Sequence, residues 1–562
     1  MCGNVQLQSP VGLVTHLHGA RVAGEVDGWP LAPLGFSGNP YGFALTRDST
    51  YPNAQRSTML WYHDHAMDRT APHVHAGLAG IYFIRDEVDD EILNLVGGPA
   101  QEIPCVIQDR ILSADGQTID YSAGRPDDGA LARPEFLGSS LFVNGHPPVS
   151  LGLQRRPYRL RLLNGSNART YALALVDLDA VAAGAASIWQ TQALRLIGTD
   201  GGLMPRSLVL GALDVLVLAP GQRRDVILDL SLVPAGTGRL QLCNVALKYL
   251  LAVKPDNPEA IFTTPERSIC RPTSAGLAGS TLAVADFLSL PLARVMPIHL
   301  PSLADTVSTS TPLTAATLDA KLTAAASDDD FVWDGQQLAA PPGAMLGPNR
   351  MVLLMSNTLG LEQEASVAGI SQWGDVQIFE MADGGQDWTL PFQVDLSIAS
   401  HPFAGAPATT PVGYRLARRS FFAQSRNLDV TVAKAYPALH APTISAKQGT
   451  YERWYVANIG NTQPLSGLGE VPDMHPFHIH LVNFVVTRRW SLSVESPGQF
   501  EAVAVSDLDL NNIARQDTVL IPSNQMVELL VYYPVGYSGD YVYHCHLLEH
   551  EDMCMMSHFR VT

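Results

Sequence analysis

The stretch YHCHLLEHEDMCMM, residues 543–556, holds three histidines, two cysteines and three methionines close to the C-terminus. Imidazole, thiolate and thioether groups bind transition metals, and the sulfur ligands favour soft ions such as copper. Side chains alternate between the two faces of a strand, so we expect His544 and His546 to point one way and Cys545 the other. The stretch therefore predicts ligands for two metal sites, which are joined through the chain at Cys545.

Three more His-x-His pairs occur in strand-like surroundings, at 16–18 (HLH), 63–65 (HDH) and 478–480 (HIH). One such pair is weak evidence for a metal, because a buried histidine is often satisfied by packing alone. Four pairs are stronger evidence, since each presents two imidazoles on one side of a strand and histidine is the commonest metal ligand. Two pairs lie near the start of the chain and two near its end, which predicts a site between the first and last domains.

A second ligand group surrounds Cys545. His550 and Met555 follow it closely, and His475 lies three residues before His478. Two histidines, a thiolate and a weak axial methionine describe a blue-copper electron-transfer site, and zinc would have little use for the methionine. An electron that arrives at Cys545 would then reach the neighbouring histidines through covalent bonds.

Length and composition narrow the class of protein. The 562 residues are enough for roughly three or four domains. A net charge of −18 argues against nucleic acid and anionic membranes as partners. The sequence shows no apolar run that could span a membrane and no signal peptide, which leaves a cytoplasmic and an exported location both open. Six cysteines are too few for a disulfide framework, and a bridge between Cys243 and Cys270 stays open.

Short strand-like runs fill much of the chain, for example 79–85 (AGIYFIR), 156–164 (RPYRLRLLN) and 527–534 (VELLVYYP). Glycine and proline separate these runs, and long helical periodicity is scarce. The pattern predicts an all-β protein of sandwiches or barrels.

The motifs THLHG (15–19), LWYHDHAM (60–67), DMHPFHIHLVNF (473–484) and YHCHLLEHEDMCMM resemble those of the bacterial multicopper oxidases, in the group of phenoxazinone synthase, spore-coat laccase and bilirubin oxidase. The resemblance implies three cupredoxin-like Greek-key β-barrel domains. We expect them at 1–120, 128–275 and 346–562, with 276–345 as a linker or excursion and the type 1 copper in the last domain. His16 is only fifteen residues from Met1, so we expect the first domain to be incomplete at its N-terminus.

The resemblance also implies the copper ligands. A type 1 copper would be bound by His475, Cys545 and His550, with Met555 as the axial ligand. A type 2 copper would be bound by His16 and His478. Two type 3 coppers would be bound by His18, His63, His65, His480, His544 and His546.

Two acids and one further histidine pair need separate interpretation. By resemblance, Asp27 and Glu551 would supply protons to the copper cluster, and the alternative is that each is an ordinary solvated or capping acid. His73 and His75 stand where relatives usually have Asn-Val-Tyr, and they would either bind an extra metal or simply pack. Cys554 would be a buried thiol or would disturb the axial methionine.

The expected reaction is one-electron oxidation of a phenolic or o-aminophenolic reductant, docked near an exposed edge of His550, coupled to four-electron reduction of dioxygen to water. A metallo-oxidase of Cu(I) or Mn(II) is one alternative, although no methionine-rich insertion supports it. A copper-poor structural protein of the same fold is another, and the full set of ligands disfavours it. A copper nitrite reductase would not need four His-x-His pairs.

Overall fold

The computed structural model describes most of the chain. The described residues are 13–32, 49–67, 69–113, 116, 119, 121, 135–185, 187–211, 214–246, 284–302, 313–357, 375–381, 408–409, 415–418, 442, 444–458, 474–492, 500–502, 510–522, 525–552 and 555–562.

A small antiparallel sheet of order β1-β2-β3 opens the described chain. Its strands are β1 (Thr15–His18), β2 (Thr58–Asp64) and β3 (Ala79–Ile84). In the register of β1 and β2, His16 lies opposite His63. The first two His-x-His pairs therefore lie side by side on neighbouring strands.

Two larger sheets face each other in the middle of the chain, in the orders β10-β9-β12-β7-β4-β5 and β11-β8-β13-β14-β6. Their inner faces bury leucines such as Leu162, Leu173, Leu196 and Leu240 in one core. The strands are β4 (Glu102–Arg110), β5 (Ser140–Val143), β6 (Leu151–Gly152), β7 (Pro157–Asn164), β8 (Tyr171–Asp177), β9 (Leu194–Thr199), β10 (Gly202–Val209), β11 (Leu216–Leu218), β12 (Arg223–Asp229), β13 (Arg239–Asn244) and β14 (Arg294–His299).

The last part of the chain forms a nine-stranded sheet, β19-β20-β18-β17-β22-β28-β24-β25 with β26 beside β24, and a five-stranded sheet, β21-β30-β29-β23-β27. A hairpin of β15 (Val332–Trp333) and β16 (Leu338–Ala339) precedes them. The strands are β17 (Met345–Asn357), β18 (Asp375–Met381), β19 (Ala408–Thr409), β20 (Arg415–Arg418), β21 (Ile444–Ala446), β22 (Thr450–Asn458), β23 (His475–Ile479), β24 (Phe484–Leu492), β25 (Phe500–Ala502), β26 (Arg515–Gln516), β27 (Thr518–Ile521), β28 (Gln525–Tyr532), β29 (Gly539–Cys545) and β30 (Met556–Val561).

The antiparallel pairing of β23 with β29 places His478 opposite His544. The third and fourth His-x-His pairs are therefore neighbours, as the first two are. Buried aromatic side chains, among them Trp454, Phe477 and Tyr543, fill the core between the two last sheets.

Helices are short and lie between strands: α1 (Thr70–His75), α2 (Glu87–Leu95), α3 (Leu178–Ala182), α4 (Val284–Ser289), α5 (Ala315–Ala324) and α6 (Leu548–Asp552). Asp86 caps α2 by accepting a hydrogen bond from the Asp89 amide, as a residue before a helix commonly does. Within the described ranges, no helix combines the length and the apolar character needed to cross a membrane.

The prediction of an all-β chain is confirmed, and none of the sheets formed by the described residues closes on itself. The predicted domain limits and the incomplete first domain stay predictions. Two pairings cross the predicted limits. β4, from the block 1–120, pairs with β7, and β14, from the predicted linker 276–345, pairs with β13.

Candidate metal centres

A cluster of eight histidines, the larger of two candidate metal centres, lies between the first sheet and the last. The eight histidines of the four His-x-His pairs are all buried, and their rings interleave. The His16 ring stacks on His480 with centroids 3.8 Å apart, and the His18 ring stacks on His478 at 3.7 Å. Each stacked pair thus combines one strand from each end of the chain, as the sequence predicts.

Ring nitrogens converge inside this cluster. Nε2 of His544 lies 3.3 Å from Nε2 of His65 and 3.2 Å from Nε2 of His480. Nε2 of His546 lies 3.2 Å from Nδ1 of His18. Three of the nitrogen triads have all their ligand atoms within 4.8 Å of one another, a spacing that suits a shared metal ion: His16, His478 and His480; His16, His18 and His63; and His65, His480 and His544.

The outer nitrogens of these rings are anchored by the protein. Nδ1 of His16 donates to the Asp27 carbonyl at 2.6 Å, Nδ1 of His63 to the Asp64 carbonyl at 2.9 Å, and Nδ1 of His544 to the Cys545 carbonyl at 2.9 Å. A neutral imidazole that donates through Nδ1 offers the lone pair of Nε2, so these rings present Nε2 to the cluster.

The inward nitrogens fit a metal ion. Nε2 of His16, His63 and His478 is buried and finds no hydrogen-bond partner among the described residues. Leaving a buried polar atom unsatisfied costs about 1–3 kcal/mol, and a bound cation would remove that cost. Burial lowers the pKa of His63 to about 4 and that of His544 to about 3, so the rings stay neutral and able to bind metal.

The smaller centre surrounds the thiol of Cys545, at the end of β29. Its Sγ lies 3.4 Å from Nδ1 of His475 and 3.8 Å from Nδ1 of His550, and the two Nδ1 atoms are 3.4 Å apart. The three donors form a compact, buried triangle. The Met555 amide donates to the His550 carbonyl at 2.8 Å, and the Cys545 amide donates to the Met555 carbonyl at 3.0 Å. The backbone thus brings the buried Met555 beside both ligands.

Both predicted acids contact the larger cluster, and each contacts one histidine from each end of the chain. The Asp27 carboxylate accepts a 2.7 Å hydrogen bond from Nδ1 of His480, besides the bond from His16 to its carbonyl. The carboxyl oxygens of Glu551 lie 3.4 Å from Nδ1 of His65 and 3.3 Å from Nδ1 of His544. Burial raises the pKa of both acids well above the usual range. Each is therefore able to hold a proton beside the cluster.

Comparisons with known proteins indicate a family. Residues 407–562 match the family described as Multicopper oxidase. The chain is 27% identical over 558 residues to a laccase of Bacillus stratosphericus, which covers 97% of this chain and 80% of that protein. It is 36% identical over 224 residues to a laccase of Bacillus subtilis (strain 168), which covers 39% of this chain and 40% of that protein.

The C-terminal part of this chain, residues 407–562, thus matches the multicopper oxidase family. The crystal structure of the McoA multicopper oxidase from the hyperthermophile Aquifex aeolicus aligns with this chain at a TM-score of 0.54 and 20% identity, and covers 98% of this chain and 84% of that one. The cupredoxin-like fold expected from the sequence is thus shared. Multicopper oxidases bind copper, and the imidazole donors of both centres and the thiol of the smaller one suit that metal.

One residue beside the larger cluster escaped sequence analysis. Asp517 lies between β26 and β27, is 1% exposed, and accepts a hydrogen bond of 3.1 Å from Nε2 of His18. Its carbonyl also accepts a 2.8 Å bond from Nδ1 of His478. The stretch ARQDTV (514–519) carries no spacing signal, and only the pairing of β23 with β27 brings Asp517 to the cluster.

The fifth histidine pair has two separate environments. Nδ1 of His73 donates to the Asp64 carboxylate at 2.6 Å, whereas the His75 ring packs on Tyr121 and Phe136 with centroids 5.0 and 4.3 Å away. Both residues lie on α1, and residues two apart on a helix do not share a face. This arrangement favours packing over an extra metal. Cys270 and Cys554 lie outside the described residues.

Proposed function

We propose that this chain is a multicopper oxidase, which couples the one-electron oxidation of phenolic or o-aminophenolic reductants to the four-electron reduction of dioxygen to water. The type 1 copper would be held by His475, Cys545 and His550, with Met555 as the axial ligand. His16 and His478 would hold the type 2 copper. The type 3 pair would be held by His18, His63, His65, His480, His544 and His546.

The position of Cys545 between His544 and His546 carries the proposal. The strand β29 turns the thiol towards His475 and His550, and the adjoining imidazoles face the larger cluster. A binding or structural protein has no need for one cysteine that bridges two metal centres. Bound copper supplies the one-electron redox chemistry, and the chain fixes where its ligands stand.

The protein supplies protons through the two buried acids. Reduction of dioxygen to water consumes protons, and a buried cluster must receive them from groups in contact with it. Asp27 touches His16 and His480, and Glu551 lies beside His65 and His544, so both acids reach the triad of His65, His480 and His544. In our proposal both act as proton donors rather than as capping groups.

The reductant does not meet an exposed histidine edge, contrary to the sequence-based expectation. His550 is only 1% exposed. A carboxyl oxygen of Glu135 lies 4.0 Å from Nε2 of His550, and the Glu135 side chain is 18% exposed. In our proposal the reductant therefore docks over Glu135, and its electron passes through His550.

Copper content and oxygen uptake test the proposal. After copper loading, we expect four coppers per chain and the intense visible absorption of a copper–thiolate bond. Oxygen uptake should accompany the oxidation of o-aminophenol or dimethoxyphenol, with one dioxygen consumed per four electrons and no hydrogen peroxide released. A chain that takes up no copper would contradict the proposal and favour a structural role.

A metallo-oxidase of Cu(I) or Mn(II) is the second candidate, because the carboxylate of Glu135 beside His550 would also attract a cation. The same oxygen-uptake assay with Cu(I) and Mn(II) distinguishes the two. The matched variant Glu135→Gln keeps the volume and removes the charge. It should slow oxidation of a metal ion far more than that of a neutral phenol.

A further inference from the structure

Asp517 is the one described carboxylate that touches both rings of the stacked His18–His478 pair. Its Oδ1 accepts from Nε2 of His18, and its main-chain carbonyl accepts from Nδ1 of His478. The hydroxyl of Thr518 lies 3.2 Å from the same His18 nitrogen and donates to Asp517 at 3.0 Å. One residue therefore forms hydrogen bonds with two histidines from opposite ends of the chain.

His18 is oriented differently from its neighbours. His16, His63, His478, His480 and His544 donate through Nδ1 and turn Nε2 inward, as the hydrogen bonds of each ring show. His18 instead donates through Nε2 to Asp517 and turns Nδ1 towards His546. A carboxylate only accepts, so Asp517 fixes the tautomer of His18 that leaves the Nδ1 lone pair free for the cluster.

Arg223, at the start of β12 in the middle sheets, holds Asp517 in place. Its two terminal nitrogens donate to the two carboxylate oxygens of Asp517, at 2.8 and 2.5 Å. The same guanidinium donates to the carbonyl of Met59 on β2 at 3.1 Å. A bidentate arginine leaves a carboxylate little rotational freedom, so Arg223 orients Asp517 and ties all three parts of the chain to the cluster.

Two glycines make room for this arrangement. A Cβ atom on Gly19 would lie 2.6 Å from both Arg223 Nη2 and Asp517 Oδ2. A Cβ atom on Gly221 would lie 2.8 Å from the His546 ring. Both glycines have positive φ, +85° and +79°, which other residues rarely adopt. The backbone thus approaches the ion pair and the ring more closely than any side chain would allow.

We propose that Arg223 and Asp517 are positioning residues of the trinuclear centre, which hold His18 with Nδ1 towards the metal and orient His478 beside it. The inference rests on the proposed function, because the two histidines matter in this way only if they bind copper. Partners that orient a metal-binding histidine commonly change metal affinity or activity about 10- to 100-fold when they are replaced.

The competing interpretation is a buried ion pair that only stabilises the fold. The chain offers a matched control for it. Arg159, on β7, is also fully buried and donates to both carboxylate oxygens of Asp225 at 2.6–3.2 Å, and none of its hydrogen bonds among the described residues involves a histidine. Arg159→Lys therefore reports the effect of weakening a buried ion pair away from the copper ligands.

The experiment compares the copper-loaded parent with Arg223→Lys, Arg223→Met, Asp517→Asn and Arg159→Lys. It measures copper retained against a chelator, the electron paramagnetic resonance of the type 2 copper, the visible copper–thiolate band and the melting temperature. We expect the Arg223 and Asp517 variants to keep the thiolate band, to shift the type 2 spectrum, and to lose cluster copper at about 10-fold lower chelator concentration. Arg159→Lys should lower the melting temperature without shifting the type 2 spectrum and without weakening copper retention.

The outcomes separate the two proposals. If the only change in the Arg223 and Asp517 variants is a lower melting temperature, as in the control, the positioning role is overturned. If Arg223→Met does not fold, Arg223→Lys and Asp517→Asn still distinguish positioning from stabilisation. Both substitutions nearly preserve the volume of the native side chain. A parent chain without copper would overturn both proposals together.

Discussion

Nδ1 of His544 donates a hydrogen bond of 2.9 Å to the main-chain carbonyl of Cys545, its own neighbour in the chain. The thiol of Cys545 lies on the other side of the strand, 3.4 Å from Nδ1 of His475. One peptide unit and one hydrogen bond therefore join the smaller centre to the larger one. Both residues are fully buried in the core of the last two sheets, so packing holds this connection in one geometry.

Cys545→Ser should abolish the copper–thiolate absorption and oxidation of the reductant. The hydroxyl is a poor ligand for copper, and it breaks the path through the sulfur. Copper in the larger cluster should persist, because all eight histidines of that cluster remain. Absorption spectra and copper analysis check both points.

Cys105→Ser is the matched control for this change, since Cys105 is a buried thiol on β4 and hydrogen-bonds only to the carbonyl of Ile103 among the described residues. Cys105→Ser should keep both the copper–thiolate absorption and the oxidation of the reductant. Substantial phenol oxidation by Cys545→Ser would contradict the assignment of the thiolate.

Met555→Leu should raise the reduction potential of the type 1 copper while the metal stays bound. In our proposal the thioether of Met555 is the weak axial ligand, and its loss would favour the cuprous form. Redox titration of the visible band measures the change. Met556→Leu is the control, because Met556 is an equally buried neighbour on β30. A shift in Met556→Leu and none in Met555→Leu would move the axial role to Met556.

The sequence predicts the metal centres better than it predicts their surroundings. The His-x-His spacing needs only the two-residue repeat of a strand, so spacing and family resemblance together identify the ten histidines and Cys545. Asp517 and Arg223 are separated from His18 by long stretches of chain and carry no local pattern. Only the packing of three sets of sheets brings them together, and such long-range contacts leave no trace in spacing.

The prediction of an exposed edge on His550 was wrong for a similar reason. The expectation came with the reaction that the family resemblance implies, and the stretch LEHED carries no signal for the burial of His550. The helix α6 instead packs against α1, where the Asp552 carboxylate accepts bonds from the amides of Thr70 and Ala71 at 3.1 and 2.8 Å. This contact between distant helices buries the whole segment.

The thiols of Cys105 and Cys243 should resist alkylation in the folded protein. Burial raises the pKa of each to about 12, so very little reactive thiolate forms at neutral pH. Peptide mass spectrometry after treatment with iodoacetamide should find both thiols unmodified in the native protein and modified after denaturation. Rapid labelling of Cys243 in the folded protein would show that the structure around this thiol opens to solvent.

Glu551→Gln should slow dioxygen reduction while electron entry at the type 1 copper stays nearly normal. The amide keeps the volume and the contacts beside His65 and His544 but cannot give up a proton under these conditions. Loss of a general acid commonly reduces a rate by about 100-fold or more. Stopped-flow bleaching of the visible band without oxygen measures electron entry, and reoxidation by oxygenated buffer measures the second step.

Glu549→Gln is the control for this prediction, because Glu549 is a buried acid two residues earlier whose carboxylate is bound by Tyr121 and Asn167. We expect reoxidation of Glu549→Gln to stay within a few-fold of the parent. Equal slowing of both steps in Glu551→Gln would indicate that the acid orients the histidines, and equal slowing in both variants would indicate a general disturbance of α6.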